Sequence, residues 1–103
     1  MLIIKKLSKM IKEEICDAEK YANCALKYKD EDKALAETFY TLANEELKHM
    51  NMLHEQVVRL INNYKASKGE PPEAMRALYN YVHEEQIENT QEVKVLLGMY
   101  KGA

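Results

Sequence analysis

Residues 35–53 read LAETFYTLANEELKHMNML, and the reading of that run decides the fold. Leu35, Phe39, Leu42, Glu46, His49 and Leu53 recur at steps of three and four residues, the spacing that lines one face of an α-helix. A half-buried strand would alternate every second residue, and this run does not. Ala, Leu, Glu, Lys and Met, all strong helix formers, fill the run and its flanks. Two members of the row break its chemistry: Glu46 and His49 stand where aliphatic or aromatic residues stand on either side.

Working outward, the helical pattern stops at two places. Lys29-Asp30-Glu31-Asp32 is polar and rich in turn and N-cap residues. Lys65-Ala66-Ser67-Lys68-Gly69-Glu70-Pro71-Pro72 offers a glycine suited to a helix end and prolines suited to a helix start. These breaks predict three helices, over 3–29, 32–66 and 72–100. Only 3 Gly and 2 Pro occur in 103 residues, which leaves little room for a many-stranded β fold. With 47% apolar and 31% charged residues, a disordered or low-complexity chain is excluded. The expectation is one all-α domain over 1–103.

Charge and hydropathy narrow the setting. A formal charge of −2 argues against nucleic acid as a partner. No run of apolar residues is long enough for a transmembrane helix. The opening MLIIKKLSKM has too short an apolar stretch for a secretory signal, and no small-residue cleavage site follows it. Cys16 and Cys24 on one helix would lie ~12 Å apart along the axis, beyond disulfide reach. A cytoplasmic protein with reduced thiols and no membrane contact is expected. So small a domain without a disulfide is marginal alone, which favours burial against a partner.

The first helix carries an apolar stripe of the same kind. Leu7, Glu14, Tyr21 and Tyr28 recur every seventh residue beside Ile4, Ile11, Ala18 and Ala25, and only Glu14 is charged. The second helix has a further apolar face in Ala43, Leu47, Met50, Val57 and Ile61. A helix apolar on two sides needs cover on two sides. The six methionines read as core filler at helical spacing. His54 and His83 lie off the main rows and read as structural, as does Cys24.

Heights along the helices bring the exceptions together. In an antiparallel hairpin turning near residue 30 or 31, Glu14, Glu46 and His49 all fall ~24 Å from the turn at 1.5 Å per residue. Glu46 and His49 are also neighbours one turn apart. Two carboxylates and an imidazole at one level, all in apolar rows, form a metal-site constellation, because a charge in such a row needs compensation. In four-helix carboxylate proteins a pair of ions is held by a Glu from each of two helices and Glu-x-x-His from each of two others. One chain here carries half of that set, and a two-fold homodimer, alone or in a ring of dimers, would carry all of it.

The run from Ala36 through Phe39, Ala43, Glu46 and His49 resembles the metal-binding second helix of rubrerythrins, with their A-x-x-F-x-x-x-A-x-x-E-x-x-H pattern. Glu14 followed by Tyr21 is similar to the first helix of that group, so the likeness covers residues 10–60. The short chain with a single Glu…Glu-x-x-His half-set also resembles the encapsulated ferritins, whose di-iron site forms between two subunits. The resemblance implies a ferritin-like hairpin plus a third helix, with the four-helix bundle completed by dimerisation. It implies iron at Glu14, Glu46 and His49, and either ferrous oxidation or reduction of O2 or peroxide. Manganese or zinc suits the same donors. The sequence departs from rubrerythrins in having no second Glu-x-x-His and no paired C-x-x-C; the latter removes the usual electron entry and favours ferrous oxidation.

Helix 3 offers a rival way to complete the site. Its expected core row is Met75, Leu78, Val82, Leu96 and Met99 or Tyr100. Running back from the second turn, Glu85, Asn89 and Glu92 would reach the level of residue 48, so Glu85 and Glu92 are further ligand candidates. Two other function classes stand beside the oxidase: a structural or interaction protein without turnover, and a metal-binding storage or sensor module. Gly-rich phosphate loops and nucleophile elbows are absent from the sequence.

Overall fold

The computed structural model describes residues 2–102, and it is helical throughout apart from the two short connections. Helix α1 spans Leu2–Tyr28, α2 spans Lys33–Lys68 and α3 spans Glu73–Lys101. The breaks fall where the sequence places them, for visible reasons. The Asp32 side chain accepts a hydrogen bond from the Leu35 backbone N–H at 3.1 Å, which caps the start of α2. Gly69 ends α2 with φ +84° and ψ −155°, a backbone region essentially reserved for glycine. Its N–H donates to the Lys65 carbonyl at 3.0 Å. Pro72 then opens α3, its carbonyl accepting from the N–H groups of Met75 and Arg76.

The molecule is a rod of 55 × 19 × 18 Å, a length that α2 covers alone at 1.5 Å per residue. Helices α1 and α2 form the hairpin, and α3 lies along α1. Two core clusters follow one another down the rod. Large aliphatics (Ile4, Ile11, Ile15, Met50 and Val57) fill the half away from the hairpin turn. Alanines (Ala18, Ala22 and Ala43) with Val93 and Leu97 fill the half near it. Small side chains there let the helices approach closely, and all three alanines are fully buried. Lys29 and Tyr100 fasten the far end of α3 to this half. The Lys29 Nζ donates to the Met99 carbonyl at 3.2 Å, and the Tyr100 hydroxyl donates to Glu37 Oε2 at 2.7 Å.

One question the sequence left open about the core is decided, and two expectations are corrected. On α2 the deeper face is the second one, where Ala36, Ala43, Met50 and Val57 are buried, while Leu35 and His49 of the first row are exposed. On α3 the buried row is Met75, Gln86, Val93 and Leu97; Leu78, Val82, Leu96 and Tyr100 are half-buried and Met99 is exposed. Methionine is core filler only in part: Met50 and Met75 are buried, Met10, Met52 and Met99 are exposed, and Met1 lies outside the described residues. Helix α3 packs mainly on α1, and among the described residues no helix covers the row of α2 that holds Leu35 and His49. No described helix is long and apolar enough to cross a membrane.

Candidate metal centre

The heptad rows of α1 and α2 that face away from α3 meet at Glu14, Glu46 and His49. Donor atoms of these three side chains all lie within 4.8 Å of one another, and they form the one such group of three or more His, Cys, Asp or Glu among the described residues. His49 Nδ1 stands 3.7 Å from Glu14 Oε2 and 3.8 Å from Glu46 Oε2. Those separations exceed a hydrogen bond. They suit an ion instead, because donors each about 2.0–2.2 Å from a metal stand roughly 3–4 Å from one another.

The surroundings are apolar and only partly closed. The Glu46 side chain is 17% exposed, that of Glu14 26% and that of His49 54%. Both carboxylates are thus partly withdrawn from water and stand close together, a placement that a cation between them would favour. On the turn side, Phe39 stacks between Tyr21 and Tyr28, with ring centroids 6.2 and 6.1 Å away. Leu47, beside Glu46 in the chain, touches both core clusters, so the group sits where they join. Asp17 and Glu45, the flanking acids, are exposed.

Helix α3 does not reach this group. Glu85 pairs with Lys12 at 3.3 Å, and Lys12 and Glu14 differ by about 200° around the axis of α1. Glu92 is exposed and lines a shallow cleft with Glu19 and Asn23 on that same far flank. The geometry therefore gathers Glu14, Glu46 and His49 and leaves Glu85 and Glu92 apart. The donor set is one imidazole and two carboxylates, with an open side where further ligands can enter. Such hard oxygen and borderline nitrogen donors fit iron, manganese or zinc.

The two remaining histidines pack together away from the metal group. His54, Tyr79 and His83 stack across the α2–α3 seam, with His54 and His83 ring centroids 5.2 Å apart. His54 Nε2 lies 3.3 Å from the Tyr79 hydroxyl. Burial, and then the neighbouring His83, hold the His54 pKa below its ordinary value, with Glu55 opposing. Gln86, missed as a core residue, donates to the Met50 sulfur at 2.7 Å. A lone glutamine among glutamates carries no periodic signal, and only the placement of α3 reveals it. Compared with protein-family models, curated proteins and solved structures, the chain matches none.

Proposed function

We propose that the protein is a non-haem iron protein that binds ferrous ions at Glu14, Glu46 and His49, oxidises them, and completes its centre with a second copy of the chain. The observation carrying this reading is the convergence of those three donors, from two helices, on a half-covered apolar face. Glu46 and His49, one turn apart on α2, would hold an ion together, with Glu14 contributing from α1. A two-fold copy laid on the open face would bring a second such half-set and cover the row that includes Met10 and Leu35, each 38% exposed. Bound iron would supply one-electron transfer to O2 or peroxide. The chain's own part is to hold the ions close, to neutralise them with carboxylates, and to keep bulk water off the Tyr21–Phe39 side.

A second reading has support in the exposure of His49. With its Nδ1 at 3.7 and 3.8 Å from Glu14 and Glu46, His49 would tie α1 to α2 with no metal, as in a purely structural helical protein. Anaerobic addition of ferrous ion separates the two. Uptake near one iron per chain, followed by absorbance that grows on admitting O2, supports the oxidase, and a solution mass of two chains or an even multiple supports the shared centre. Binding without oxidation points to storage or sensing. No uptake leaves the structural protein.

A further inference from the structure

On the flank opposite the metal group, the first half of α1 and the first half of α3 part to leave a groove of about 530 Å³. Its walls are aliphatic and aromatic: Leu2, Ile11 and Ile15 from α1, and Leu78, Tyr81 and Val82 from α3. Leu2 and Tyr81 are 86% and 65% exposed at its mouth. Ser8 and Gln86, the buried polar residues among those described, both line it. Along one lip run Lys5, Lys6, Lys9 and Lys12. Lys12 is paired with Glu85, while Lys5, Lys6 and Lys9 make no ion pair among the described residues. The first turn of α1 carries no acidic residue to balance them. An apolar trough edged by unneutralised cations calls for an apolar body with an anionic end.

We propose that this groove is a binding site for a medium-chain fatty acid, its hydrocarbon tail lying between α1 and α3 and its carboxylate held by Lys5 and Lys9. The volume falls within the ~300–1,000 Å³ of small-molecule sites. A partner helix about 10–12 Å across, laid along the ~20 Å from Leu2 to Ile15, would occupy roughly three to four times that space. The aliphatic walls favour an alkyl chain over a nucleotide, and the sequence has no Gly-rich loop for phosphate. The site is independent of the metal group, since no residue is common to both.

Isothermal titration of the metal-free full chain with laurate, kept below its micelle concentration, tests the assignment. One saturable site per chain is expected. The double variant Lys5→Glu/Lys9→Glu alters only exposed side chains and should bind laurate at least tenfold more weakly, yet bind uncharged dodecanol as the parent does. Leu78→Trp fills the trough with apolar bulk and should weaken both ligands, with far-UV circular dichroism confirming that helicity is retained. Absence of a saturable heat overturns the proposal, as does laurate affinity unchanged in both variants. It is equally overturned if the chain ignores laurate and binds phosphatidylglycerol vesicles, or if Lys5→Glu/Lys9→Glu halves the solution mass, which would make the groove an interface between copies.

Discussion

His49 Nδ1 lies almost equally far from Glu14 Oε2 on the neighbouring helix and from Glu46 Oε2 on its own, at 3.7 and 3.8 Å. Neither carboxylate takes the imidazole as a hydrogen-bonding partner, and the space between the three is shared. If a cation belongs there, removing a ligand abolishes its binding without unmaking the hairpin. Glu46→Ala and His49→Ala are each expected to lose tight iron binding while far-UV circular dichroism stays close to the parent. Full iron occupancy in either variant would dismiss the ligand assignment.

Carboxylates kept in an apolar row oppose folding of the metal-free chain. Replacing Glu14 by Leu extends the Leu7–Tyr21 stripe and relieves its repulsion from Glu46. The metal-free Glu14→Leu protein should therefore gain about 1 kcal/mol in urea unfolding while losing iron. A destabilised variant would instead mean that Glu14 is held by a favourable ion pair with His49.

Two glycines should respond with opposite sign. Gly98 lies inside α3, and a Cβ there meets nothing within 4 Å, so Gly98→Ala is expected to stabilise by about 0.5–1 kcal/mol. Gly69 also has open space around it, but its φ of +84° strains any L side chain, so Gly69→Ala should cost about 1–3 kcal/mol. Thermal melts of the pair measure backbone conformation apart from packing.

The cap on α2 has its own test. Asp32→Ala removes the acceptor for the Leu35 N–H and should lower stability by about 1 kcal/mol, whereas Asp32→Ser should retain most of it. Denaturant midpoints of the two variants give the comparison.

His54 sets a pH dependence. Its pKa is lowered in the folded chain by burial and by His83, so below about pH 6.5 the unfolded chain takes up a proton that the folded chain resists. Stability is complete above that value and falls as the pH drops through the folded pKa. In His54→Gln the decline in melting temperature from pH 7 to pH 5 should be shallower. An equally steep decline would move the effect to another group.

The sequence by itself determined the three helices, their breaks at Asp32 and Gly69, and the common level of Glu14, Glu46 and His49. Each of these rests on local chemistry or on the constant rise of an α-helix, which makes distance along the chain a ruler once the turn is placed. It could not rank the two apolar faces of α2, because Leu35–Leu53 and Ala43–Ile61 both look like core. Nor could it show that α3 settles on the far flank of α1, drawing Glu85 to Lys12, burying Gln86 and leaving the groove edged by lysines. Those outcomes depend on rotation about the helix axes and on which surfaces meet. Only packing in three dimensions decides that, since both faces of α2 carry apolar residues at helical spacing and the sequence offers no further signal to separate them.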